Sequence, residues 1–161
     1  MKIIYCHHAN RKKEKEFSQN DDITLLGEKD ANLVRELIET VNLKTPISAI
    51  YSSKFFRCTK TANIINKNMN LPIILDERLN EKNYNGEEEW KDCQERVKQA
   101  LLDIIKKHNN TETVLVVTSG VNISAFINLA YNLESSNNHP YLAISMCCPI
   151  MFDFDKTKLI K

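Results

Sequence analysis

Lys2-Ile3-Ile4-Tyr5-Cys6-His7-His8 is the stretch whose reading decides the fold. Its apolar run is too short for a signal peptide and reads as a buried first strand that delivers two histidines at its end. Three further runs of β-branched and aliphatic residues bounded by turn formers predict strands over 47–51, 72–75 and 114–118. Between them the apolar spacing changes from two to three or four. Ala31, Val34, Leu37, Ile38 and Val41 share one helical face after Gly27, and Trp90, Cys93, Val97, Ala100, Leu101, Ile104 and Ile105 share another over five turns. A helix over 55–68 places Phe56, Thr59, Ala62 and Ile65 on related faces, and a fourth helix begins after Gly120. Residues 141–154 are apolar enough for one or two more strands, 155–158 read as an exposed turn and 135–139 as a surface loop.

Strands alternating with helices of this length predict an α/β fold: a three-layer α/β/α sandwich around a mostly parallel, mixed sheet. Ligands of such sheets bind beyond the carboxyl ends of the strands. His7 and His8 follow the first strand, Ser52 and Ser53 the second, and Ser119 the fourth, so all converge on that edge.

The 161 residues suit a single domain, 1–161, with one active centre. Lysine and arginine number 22 against 21 acidic residues, which provides no global field for nucleic acid or an anionic membrane. Residues 113–133 carry no charge over a bilayer's length, but the Thr118-Ser119-Gly120 break and the polar Asn122, Ser124 and Asn128 favour strand, turn and helix over a span. Five cysteines, an odd number without zinc or redox spacing, and no leader lead to the expectation of a reduced, cytoplasmic protein.

Phosphoryl transfer through a protein nucleophile needs an imidazole free to attack, cations on the non-bridging oxygens and an acid for the leaving group. His8, Arg57 and Glu81 follow the first three strands and supply one candidate for each role.

At these positions the chain resembles the histidine phosphatase, or phosphoglycerate mutase-like, superfamily. The opening strand looks like that family's segment ending in Arg-His-Gly, with His8 on the phosphorylated histidine, His7 at the arginine and Ala9 at the glycine. Asp22-Ile23-Thr24-Leu25-Leu26-Gly27-Glu28-Lys29-Asp30-Ala31 is similar to the family's lead into its first helix. Ser52-Ser53-Lys54-Phe55-Phe56-Arg57-Cys58-Thr59-Lys60-Thr61-Ala62 resembles its Ser-Ser-x-x-x-Arg-x-x-x-Thr-Ala, which puts Arg57 on a phosphate-binding arginine. Arg78-Leu79-Asn80-Glu81-Lys82-Asn83-Tyr84 resembles the mutase segment carrying the general acid/base, here Glu81. Val114-Leu115-Val116-Val117-Thr118-Ser119-Gly120 is similar to the last family strand, usually ending in a histidine and glycine.

The resemblance implies a metal- and cofactor-independent phosphatase acting on phosphomonoesters or phosphorylated protein side chains through phospho-His8. Its partner would be a phosphorylated small molecule or phosphoprotein; no oligomeric state is implied. Two positions depart from the family: Ser119 stands where its second histidine helps hold the phosphoryl group, and His7 where its first arginine does. Losing one such donor typically costs about 10²–10³ in rate. Ser119 keeps a hydroxyl, and His7, if a neighbouring phosphate raises its pKa, supplies a cation and an acid-shifted optimum. The alternatives are a pseudoenzyme that binds a phosphorylated metabolite or partner without turnover, and a mutase-type phosphotransferase, for which the chain is short.

Thr24 and Ser52 line the pocket or serve as caps and turn formers. His7 and His8 alternate along the strand and so point to opposite faces if it stays regular, which also disfavours a metal site between them. Cys6 reads as a buried strand thiol, and His108 and His139 as inert loop residues. Residues 11–21 and 83–89 would choose the substrate, and the lysine-rich 11–16 run reads as a solvated loop or a lid over an anion.

Overall fold

A computed structural model describes residues 1–12, 18–82, 88–131, 133–139 and 141–154. Five strands, β1 (Lys2–His7), β2 (Ile47–Ser52), β3 (Ile73–Leu75), β4 (Thr113–Thr118) and β5 (Pro149–Asp153), form one sheet in the order β3-β2-β4-β1-β5. The first four run parallel, and β5 lies antiparallel to β1. Helices α1 (Leu25–Lys44) and α2 (Phe56–Asn66) cover one face; α3 (Trp90–Lys107) and α4 (Gly120–Ala130) cover the other. This is the expected three-layer α/β architecture.

The pleat divides the core. Ile3, Tyr5, Val114 and Val116 pack with α3 and α4, whereas Ile4, Cys6, Leu115 and Val117 pack with α1 and α2. Both faces are therefore apolar, as the continuous Val114-Leu115-Val116-Val117 run requires of a central parallel strand. Each such side chain contributes roughly 1.5–3 kcal/mol by leaving water. In β2 a register shift between Ile47 and Ala49 lets Ile47 and Ile50 enter the same layer although they lie three positions apart.

Several boundaries differ from expectation. Gly27 lies inside the first turn of α1, which begins after Thr24; a Cβ there would stand 2.7 Å from Asn10 O, so glycine permits the close approach. Leu37 is 50 % exposed, because the stripe Ala31, Val34 and Ile38 faces the sheet and Leu37 falls on its flank. Phe56 is exposed at the first position of α2, and that helix ends at Asn66. The tail supplies one strand. Residues 113–133 resolve into β4, a turn at Ser119 and α4, and no helix among the described residues is long and apolar enough to cross a membrane. The substrate-selecting segments expected at 11–21 and 83–89 lie partly, and the turn at 155–158 wholly, outside the described residues.

Candidate active site

β1 is the fourth strand across the sheet, and its carboxyl end opens directly onto the site. The chain leaves the strand at His8, whose N–H donates to Thr118 O at 2.9 Å, and the next N–H, of Ala9, donates to Thr61 Oγ1 at 3.0 Å. His8 is 2 % exposed. Its Nδ1 lies 2.8 Å from Ala9 O, a group that can only accept, so Nδ1 carries the proton and Nε2 keeps the lone pair. Burial first, and then the adjacent His7, lower its pKa to about 3, so the ring is a neutral base at physiological pH.

Arg57, the second residue of α2, is fully buried. Its Nε donates to His8 Nε2 at 3.2 Å, one Nη to Ser18 O at 3.1 Å and the other to Glu81 Oε2 at 2.6 Å, while its Cζ lies 4.8 Å from the Phe55 ring centroid. A buried guanidinium is tolerable only when its fork is met in this way. Thr61 Oγ1 donates to Arg57 O at 2.6 Å while accepting from Ala9, and so couples α2 to the His8 backbone.

Glu81 follows a single 3-10 turn, Glu77–Leu79, and the extended Asn80. Its Oε2 is 3.9 Å from His8 Nε2. His8, Arg57 and Glu81, far apart in sequence, thus meet at one point: a lone-pair nitrogen between a cation and a carboxylate.

The other sequence candidates are arranged less simply. The His7 and His8 rings do not diverge: they stand 4.6 Å apart, edge to face, because strand alternation ends with His7. His7 Nδ1 lies 2.9 Å from Ile144 O, and a Cβ on Gly120 would come within 2.8 Å of its ring. Burial lowers its pKa more than the Ile144 carbonyl and Glu81 raise it. The protein's own groups therefore favour a neutral His7, against the cationic His7 expected from sequence, which relied on a phosphate's charge. Ser119 is 1 % exposed and caps α4, its Oγ accepting from Asn122 N at 3.4 Å. Thr24 caps α1, its Oγ1 accepting from Gly27 N at 2.9 Å, and its own N–H donates to Asn10 O at 2.8 Å. Ser52 Oγ donates to Ser53 O at 2.9 Å within the β2–α2 turn. Burial raises the Cys6 thiol well above its ordinary pKa. Among the described residues no three histidine, cysteine or acidic side chains are grouped to hold a metal ion.

Sequence reading missed Ile144, Ser18 and Asn122. The first two act through backbone carbonyls, which leave no residue signature, and Asn122 figured only as a polar break in an uncharged run.

Solved structures share this architecture. YhfR of Bacillus stearothermophilus superposes with a TM-score of 0.79 at 22 % identity, over 96 % of this chain and 92 % of that one. A phosphoserine phosphatase of Entamoeba histolytica, in complex with 3-phosphoglyceric acid, gives 0.73 at 21 %, over 94 % and 89 %. The protein histidine phosphatase SixA, complexed with tungstate, gives 0.72 at 14 %, over 98 % and 90 %. No curated protein sequence matches. The profile of the histidine phosphatase superfamily (branch 1) matches residues 6–87 and 82–159, nearly the whole length, and the chain belongs to that superfamily.

Proposed function

We propose that the protein is a phosphatase that hydrolyses phosphomonoesters or phosphorylated protein side chains through a phosphohistidine at His8. The observation that carries this reading is the surroundings of His8 Nε2: a lone pair in a neutral ring, Arg57 Nε at 3.2 Å and Glu81 Oε2 at 3.9 Å. The substrate's non-bridging oxygens displace Glu81 from Arg57, Nε2 attacks phosphorus, the ester P–O bond breaks, and Glu81, carrying a proton once released from the ion pair, gives it to the departing oxygen. Water, deprotonated by Glu81, then attacks the phosphohistidine, releasing phosphate and restoring the imidazole. In this reading His7, Ser119 and Thr24 contribute to binding the phosphoryl group, and no cofactor takes part.

A pseudoenzyme that binds a phosphorylated ligand without turnover is favoured by one observation: the Ser119 hydroxyl, at the family's histidine position, is engaged as a helix cap. Incubation with para-nitrophenyl phosphate across pH 5–8 separates the two. Turnover abolished by His8→Ala, with an acid-labile phosphoryl label on the wild-type protein, supports the phosphatase. Phosphate binding without turnover supports the pseudoenzyme, and turnover unchanged in His8→Ala overturns the proposed mechanism.

A further inference from the structure

Glu81 owes its place to the two residues before it, and these are held from two directions. Asn122, fully buried in the first turn of α4, aims Nδ2 at Leu79 O (2.6 Å), Asn80 O (2.9 Å) and Thr118 Oγ1 (2.9 Å). Thr118 Oγ1 in turn donates to Leu79 O at 2.6 Å. The Asn122 oxygen lies 3.5 Å from the Cys93 thiol, which fixes the amide's orientation from behind. On the other side, Asn80 Oδ1 accepts from Ser53 Oγ at 2.8 Å and from Lys54 N at 2.9 Å, in the turn that leads to Arg57. The backbone at Leu79 and Asn80 is thus clamped between the β4–α4 junction, beside Ser119, and the β2–α2 turn.

We infer that Asn122, with Asn80 as its counterpart, is a positioning residue that sets the Glu81 carboxyl against His8 and thereby governs proton delivery to the leaving group. This rests on the proposed role of Glu81. The physical basis is directional: a buried primary amide with two protons serves carbonyls of consecutive residues, fixing the peptide plane from which Glu81 departs. Neither Asn122 nor Asn80 contacts His8 or Arg57 through any of these bonds, so attack and phosphate binding are separable from the effect on Glu81.

The experiment compares kcat/KM, which reports the phosphorylation half-reaction, for two esters. Phenyl phosphate needs a proton on its leaving oxygen; 2,4-dinitrophenyl phosphate does not. Asn122→Ala and Asn80→Ala should lower kcat/KM for phenyl phosphate by about 10- to 100-fold and for the dinitrophenyl ester by less than about threefold, as misplacing a proton donor predicts. Glu81→Gln is run beside them and should show the same selectivity, more strongly. If Glu81→Gln affects both esters equally, the proposed role of Glu81 fails and the inference with it. If Glu81→Gln is selective but the asparagine variants lower both esters alike, or neither, the role of Glu81 stands and the positioning inference is overturned. Asn80→Ala, whose side chain is only half-buried, decides alone where Asn122→Ala does not fold.

Discussion

The two ends of the parallel sheet each carry a histidine in a polar network, and only one has the makings of a reaction centre. At the amino end, His108 lies between Tyr51 Oη (2.9 Å from Nε2), Ser48 Oγ (3.3 Å from Nδ1) and Glu112 Oε1 (3.4 Å from Nδ1). These groups come from β2 and from the turn into β4, so the ring ties the end of α3 to the sheet. At the carboxyl end, His8 Nε2 faces Arg57 and Glu81, which are themselves an ion pair at 2.6 Å. In the proposed mechanism substrate phosphate takes over the guanidinium's donors, because a dianion competes for them with a carboxylate. A histidine in a network is thus structural when only hydroxyls and a carboxylate meet it, as at His108. It is chemical when a cation that wants an anion stands beside its lone pair.

Exchanging each ring for a methyl group tests that contrast with the largest effect. His8→Ala should reduce turnover at least about 10³-fold, the scale on which loss of a nucleophile is felt. His108→Ala should leave kcat/KM within about twofold and lower stability by roughly 1–3 kcal/mol, the cost of stranding buried hydrogen-bonding groups. Steady-state kinetics and urea unfolding read the two separately, and equal effects on activity would erase the distinction.

Arg57→Lys sharpens it next. Lysine keeps the charge but cannot reach His8, Ser18 O and Glu81 together, so kcat/KM should fall about 10²–10³-fold. A lysine variant close to wild type would mean that charge alone, without the planar fork, holds the phosphoryl group.

The pH dependence of stability provides a third measure. The unfolded chain binds a proton on His8 near pH 6.5, whereas the folded one does so only at about 3, because burial disfavours the cation. Between these values the unfolded state holds more protons, so stability rises with pH; the contribution is complete above 6.5 and is lost as pH falls toward 3. The expected loss is up to about 1.4 kcal/mol per pH unit for this group, with His7 acting in the same direction. His8→Gln should flatten the slope of unfolding free energy between pH 6.5 and 4.5 measured by denaturant titration, and an unchanged slope would place the proton uptake elsewhere.

Much of this was legible in the sequence, for physical reasons that also mark where legibility ends. β1 and β4 declare themselves because strands buried on both faces need unbroken apolar runs, and α3 because its apolar stripe is repeated over five turns. His8, Arg57 and Glu81 were legible because each follows a strand end in motif order, and parallel topology forces those ends together. The exposure of Leu37 was hidden, since a helix flank and a helix face differ by one residue step. The His7 contact with Ile144 spans 137 positions and uses a carbonyl, and nothing in residue type announces it. The clamp on Leu79 and Asn80 was hidden likewise, because its acceptors are backbone.

Ser119 gives the smallest and most discriminating effect, since its hydroxyl has two claims on it. As a cap, it accepts from Asn122 N, and Ser119→Ala should cost about 1 kcal/mol of stability with kcat/KM unchanged. As a donor to phosphate, its loss should instead lower kcat/KM by about tenfold at an equal stability cost, since a neutral hydroxyl is a weaker partner than the charged or backbone donors of a built oxyanion site. The two roles are compatible in chemistry, because a hydroxyl accepts through its lone pairs and donates through its proton. Asn122 N takes only a lone pair, which leaves the hydroxyl proton available to an acceptor. Ser119→Ala should therefore lose in both measurements, and a variant that melts earlier yet turns over phenyl phosphate at the wild-type rate would assign this residue to the helix alone.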